Sequence, residues 1–189
     1  MESKRRVSFL VGCLAEAALL LLAGLWGAVF HVVVFRDLSW NPAHALLGCV
    51  ASIPPFVFFL WTLHFGLRLF EAHRQLLERV LLPLVGGWSL LQLTVISALA
   101  GLCEESLFRG AIQRGLTHSV GTGAALVLAS AAFGCAHLIT WTYAIIAALI
   151  GGYLGSLWIW TGNLLTPMIA HAVYDLAALL YLLRFFQKR

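Results

Sequence analysis

Apolar positions fill this chain in long, nearly unbroken runs, and the polar positions gather at their ends. The runs cover 7–35, 43–70, 83–116, 123–140, 142–161 and 164–183. Each is close to or above the roughly 20 residues that an α-helix needs to cross a bilayer, so the pattern predicts six crossings. The third run is long for one crossing and predicts a helix that bends or tilts. Pro54-Pro55 predicts a kink in the second, because proline interrupts the interior hydrogen-bond ladder. Thr166-Pro167 predicts the start of the last, with threonine as the cap and proline at the first helical position. Gly151, Gly152 and Gly155 form a small-residue face suited to close helix packing. Residues 71–79 read as a short amphipathic helix along the interface. The expected fold class is all-α: a polytopic transmembrane helix bundle of about six spans. The chain divides into 1–82, with two crossings and the interfacial segment, and 83–189, a helical core that holds the polar motifs.

Composition agrees with this picture. Of 189 residues, 61% are hydrophobic and 11% charged, and the mean hydropathy is +0.93. Such a chain is one membrane-embedded bundle and not a set of soluble domains. The net charge of +4 does not indicate nucleic acid, because the basic residues cluster at the ends of apolar runs. Lys4, Arg5 and Arg6 precede the first run, Arg68, Arg74 and Arg79 lie at the end of the second and in the connection after it, and Arg184, Lys188 and Arg189 close the chain. The alternate connections carry Arg36 and Arg114. Six crossings place the three basic groups on one side, and the positive-inside rule makes that side cytoplasmic. Both termini are therefore expected in the cytoplasm, and the small size suits a prokaryotic inner membrane.

The start of the chain, with Lys4-Arg5-Arg6 before an apolar run, has the outline of a signal peptide. Leu10-Val11-Gly12-Cys13 has the outline of a lipoprotein cleavage box. Only about four apolar residues precede that box, against the roughly 7–15 of a signal core. An uncleaved first crossing is expected. Cys13, Cys49, Cys103 and Cys135 show no zinc or disulfide spacing and read as buried free thiols.

The departure from hydrocarbon is Glu104-Glu105-Ser106-Leu107-Phe108-Arg109, two carboxylates and a guanidinium within an apolar run. Ionised groups at bilayer depth are costly and mark functional sites or their internal pairs. Helical geometry divides the motif. Glu105 and Arg109, four residues apart, share a face and can pair, whereas Glu104 is rotated by about 100° and is free to act elsewhere. Phe133/His137 and His171/Asp175 lie at the same spacing in later runs. At 1.5 Å per residue from the external face, Glu104 lies at about 20 Å, His137 at about 22 Å, Asp175 at roughly 18 Å and His171 at roughly 12 Å. All four fit one layer.

In this order the motifs resemble the CPBP family of intramembrane glutamic endopeptidases, which includes CAAX proteases and bacteriocin-processing or immunity proteins. The resemblance covers about half the chain. It rests on Glu104-Glu105-x-x-x-Arg109-Gly110, on Phe133-x-x-x-His137, and on Asn163-Leu164-x-x-Pro167-Met168-x-x-His171-x-x-x-Asp175. It implies that 83–189 is the catalytic core and that Glu104 and His137 activate a water molecule. His171 and Asp175 would serve the oxyanion, with Glu105, Arg109 and Phe133 as structural support. CAAX-type members usually carry asparagine where this chain has Asp175. An ionised carboxylate cannot donate to an oxyanion, so Asp175 is either protonated or, as the favoured expectation, orients His171, which donates. The resemblance implies no cofactor and no metal. The implied partners are the lipid bilayer and a membrane-associated protein or peptide: a prenylated C-terminus, a bacteriocin or pheromone precursor, or a C-terminal sorting anchor. No nucleic-acid partner is expected.

Competing assignments remain open on the residues alone. Glu104, His137 and His171 are acceptable zinc ligands, although no His-Glu-x-x-His spacing supports a metalloprotease. A non-catalytic immunity or peptide-binding protein would use the same cavity, and a scaffold would use the polar cluster for packing. A proton-coupled transporter is disfavoured by the lack of repeat symmetry and paired broken helices. Glu16, a lone carboxylate within the first run, receives no assignment. His31, His44, His64, His73 and His118 fall near helix ends and are expected at the interface. Cys103 and Cys135 are expected to act as small hydrophobes, and Trp141, Trp158 and Trp160 as belt aromatics.

Overall fold

The computed structural model describes residues 2–65 and 68–186; Lys188 and Arg189, counted in the charge pattern, lie outside the described residues. Helix α1 (Glu2–Phe30) ends where Val32 N turns back to Gly27 O at 2.9 Å. Helix α2 (Pro42–Ala51) is capped by Asn41, whose side chain accepts from Ala43 N at 2.9 Å. Helix α3 (Ile53–His64) follows after a break at Ser52. The kink expected at Pro54-Pro55 is thus displaced: proline takes the first turn of α3, where a missing N–H costs nothing. Helix α4 (Glu71–Leu76) gives way to a π-helical turn at Leu77–Leu81 and to α5 (Leu82–Val85). The segment expected over 71–79 is therefore α-helical only as far as Leu76.

Ser89 and Gln92 form a reciprocal capping box at the start of α6 (Leu90–Glu105), satisfying two otherwise orphaned donors. A wide π-helical stretch, Ser106–Gln113, joins α6 to α7 (Arg114–Val120). Helices α8 (Thr122–Ala136), α9 (Trp141–Thr161) and α10 (Leu165–Phe186) complete the chain. The start of α10 differs from the expectation. Thr166 is already helical, and the cap is Asn163, whose Oδ1 accepts from Leu165 N at 3.0 Å.

The protein is an all-α integral membrane bundle. Among the described residues, five helices are long and apolar enough to cross a membrane: 5–30, 42–64, 90–120, 141–161 and 165–185. The sixth expected crossing is the shorter α8. Its 15 residues rise about 22 Å, less than the roughly 30 Å hydrocarbon layer. Lipid-facing leucines such as Leu14, Leu21 and Leu91 remain exposed. Trp141 and Trp160 lie exposed at opposite ends of α9, as belt aromatics do. Of the cysteines, Cys103 is buried, but Cys49 and Cys135 face outward, contrary to the sequence expectation.

Contacts sort the connections into two ends. At one, the Arg5 side chain lies over Gly87, Trp88 Nε1 donates to Ser8 Oγ at 3.1 Å, and His64 bonds Tyr181. At the other, Arg114 pairs with Asp37, Asn163 Nδ2 donates to Ser39 O at 2.9 Å, and Leu164 N donates to Asp37 O at 2.8 Å.

Helix α10 packs against both α2 and α6, and glycines permit the approach. A Cβ on Gly101 of α6 would lie 2.4 Å from Met168 O of α10 and 2.9 Å from Ala172 Cβ. Gly101→Val should force the two helices apart and lower stability by about 1–3 kcal/mol, read as the midpoint of unfolding in mixed micelles. Gly123→Ala, where a Cβ meets nothing within 4 Å, should stay within about 0.5 kcal/mol of the parent.

Candidate active site

The end of α6 and the π-helical stretch after it carry the charged motif. Glu104 is 8% exposed, Glu105 0% and Arg109 1%, so each charge must find its partner inside the protein. Arg109 Nη1 donates to Glu105 Oε1 at 2.9 Å, and Nη2 donates to Gly151 O at 2.6 Å. The guanidinium also stands over the Phe133 ring, 4.7 Å from its centroid. Gly151 leaves space for this approach, since a Cβ there would lie 3.4 Å from Nη2. The small-residue face read on α9 therefore seats a charged side chain as well as a neighbouring helix.

Each histidine has one defined and one looser contact. His171 Nδ1 lies 2.8 Å from Glu105 Oε1, and its Nε2 lies 3.5 Å from Asp175 Oδ2. Glu105 is thus the carboxylate at hydrogen-bond distance from His171, with Asp175 one turn along α10 and farther away. His137 follows the end of α8, where its backbone has left the helix. Its Nδ1 lies 2.8 Å from Phe133 O, which can only accept, so the ring hydrogen sits on that nitrogen. Its Nε2 faces Glu104 Oε2 at 3.7 Å, beyond hydrogen-bond reach. Phe133 lies between the groups: its ring stacks on His137 at 4.6 Å and meets His171 edge-on at 6.0 Å.

Glu104, His137, His171 and Asp175 all line one cavity of about 330 Å³. The structure brings these four together, with Glu105 and Arg109 immediately behind. Among the described residues, no three His, Cys, Asp or Glu side chains are grouped so as to hold a metal ion. Asn163, part of the motif by sequence, lies outside the cavity. It ties the loop at Ser39 and His44 to the start of α10.

Two further cavity residues were not anticipated. Glu16 of α1 lines it with a buried Oε2 that has no hydrogen-bond partner among the described residues. Its position within an otherwise lipid-facing helix was the available signal. His73 of α4, expected at the interface, is folded inward. Its ring stacks on Tyr143 at 5.8 Å, and Tyr143 in turn meets His137 edge-on at 5.7 Å. Burial pushes His73 down to about 4, so it is held neutral while the unfolded chain takes up a proton near 6.5. Its contribution to docking α4 is full above about pH 6.5 and is lost as pH falls toward 4. Between pH 7 and 5 the loss should be about 2 kcal/mol, an approximately 30-fold fall in the hydrogen-exchange protection of α4. His73→Phe keeps the stack and should remove that pH dependence.

A helix bundle long and apolar enough to span a bilayer, with a glutamate–histidine cavity inside it, defines a class of membrane-embedded proteins. Residues 86–177 match the family model for the Rce1-like, type II CAAX prenyl endopeptidases. The matched segment holds every candidate site residue from Glu104 to Asp175. The chain is also 38% identical over 80 residues to the uncharacterized protein YpbD of Bacillus subtilis (strain 168), a stretch covering 42% of this chain and 40% of that protein. No solved structure gives a significant match.

Proposed function

We propose that the cavity hydrolyses a peptide bond of a membrane-associated or membrane-anchored substrate, using a water molecule activated between Glu104 and His137. The observation that carries this reading is the 3.7 Å separation of Glu104 Oε2 and His137 Nε2. It is too long for a direct bond and short enough for one water to span, donating a hydrogen to each. With the His137 hydrogen committed to Phe133 O, Nε2 is an acceptor, and both ends of the gap draw on the same water.

The steps follow from the positions. Water oxygen attacks the scissile carbonyl carbon, and its proton passes to Glu104. The carbonyl oxygen becomes an oxyanion, which takes a hydrogen bond from Nε2–H of His171, the ring acting as an imidazolium with Nδ1–H donated to Glu105; Asp175, at 3.5 Å from Nε2, leaves that N–H open to a second acceptor. Glu105 holds the opposite nitrogen and positions the ring. Glu104 then returns its proton to the departing amine as the carbon–nitrogen bond breaks. Preorganised donors in a dry site are the principal source of such stabilisation. Arg109 acts through Glu105, as a positioning residue. We further assign the basic end of the bundle, with both termini, to the cytoplasm.

The reading is tested by comparing the membrane and secreted proteomes of cells carrying the parent chain or Glu104→Gln. The variant should accumulate an uncleaved membrane protein whose shortened form is present with the parent. Identical proteomes would overturn it.

A further inference from the structure

Helix α1 presents leucines to lipid along most of its length, yet Glu16 turns inward. An intramembrane carboxylate costs roughly 2.5–3.5 kcal/mol to insert, and the hydrolytic steps above leave Glu16 unused. It lies within electrostatic range of His171 and Asp175 and of Glu104. Among the described residues its buried Oε2 has no hydrogen-bond partner, and the same is true of Oε2 of Glu104, which is more than nine-tenths buried at the same cavity.

The basic groups nearby are already committed or neutral. Arg109 is held by Glu105 and Gly151 O. His171 faces Glu105 and Asp175, and His137 is engaged by Phe133 O and faces Glu104. His73, pushed down to about 4 by burial, is neutral at pH 7. No lysine or arginine lines the cavity among the described residues. A substrate carboxylate entering here meets Glu16, Glu104 and Asp175 with no free counter-charge. A substrate ammonium or guanidinium meets an unpaired carboxylate.

We propose that Glu16 is a specificity-determining residue that receives a lysine or arginine side chain of the substrate. The preferred substrate class is then a peptide with a basic residue close to the scissile bond, and a segment ending there in a free carboxylate is rejected. Both attraction and repulsion contribute to such discrimination. This inference rests on the hydrolytic reading, and the experiment separates the two.

Full-length protein in proteoliposomes is given apolar peptides of about 20 residues with a single lysine, norleucine or glutamate scanned through one half, and cleavage is mapped by mass spectrometry. The parent should cut lysine peptides with a kcat/KM at least about tenfold above norleucine peptides, at a fixed offset from the lysine, and glutamate peptides slowest. Glu16→Gln should bring the lysine-to-norleucine ratio to about one, and Glu16→Asp should leave it intermediate. A parent without lysine preference overturns the proposal, whatever the variants do. So does a ratio that survives Glu16→Gln, or loss of all cleavage in both variants, which would make Glu16 structural. Failure of the parent to cut any peptide overturns the hydrolytic reading itself.

Discussion

Glu104→Gln is expected to lower kcat/KM for peptide cleavage by about 10³-fold or more, within the range that a general acid–base group supplies. The amide matches the carboxylate in shape, so the buried end of α6 keeps its packing. It cannot take the proton from water, and it cannot return one to the departing amine. Stability should hold or rise by about 1 kcal/mol, since a neutral group replaces a buried carboxyl whose Oε2 has no hydrogen-bond partner among the described residues. Cleavage in proteoliposomes and the unfolding midpoint of the same preparation report the two effects separately. Full activity in a folded Glu104→Gln protein would remove Glu104 from the chemistry. Loss of activity together with loss of folding would assign it to structure.

The bundle was legible because a bilayer leaves the chain few choices. Backbone groups without water must be satisfied within helices, so apolar runs of crossing length translate directly into spans. The motif residues were legible for the related reason that charge is rare in this chain, and each charged or histidine pair stood out against hydrocarbon. The depth estimates for Glu104, His137, His171 and Asp175 placed them in one layer, and they line one cavity.

The rest depended on contacts that spacing does not encode. The faces of α6 predicted Glu105–Arg109, but the bond from Glu105 to His171 spans 66 residues and is set by how α10 docks on Gly101. Thr166-Pro167 carried a good local capping signal, and Asn163 overrode it because its side chain serves the start of α10 and the loop at Ser39 together. The early end of α8 has no proline to announce it. Glu16 and His73 could be noticed but not placed, because what each faces is decided by packing between helices that are distant in sequence.

Arg109→Leu carries the largest expected effect on stability. The substitution removes the hydrogen bonds to Glu105 and to Gly151 O, and leaves Glu105, fully buried, with the His171 contact in place of a full guanidinium pair. Breaking one side of a buried ion pair costs about 3–5 kcal/mol, a large share of a marginal total, so the variant should fail to unfold reversibly or show a strongly lowered midpoint in mixed micelles. Arg109→Lys should fall between, because a single ammonium cannot reach both Glu105 and Gly151 O in the forked geometry of a guanidinium. The double variant Glu105→Leu/Arg109→Leu separates folding from positioning. It removes both buried charges, and isosteric apolar replacement of such pairs is often neutral, so most of the lost stability should return. Activity should not return, because His171 then has no carboxylate at Nδ1 to hold its ring toward the reacting carbonyl. Recovery of both stability and cleavage in the double variant would show that the Glu105–Arg109 pair supports the helix alone and that His171 is positioned by other means.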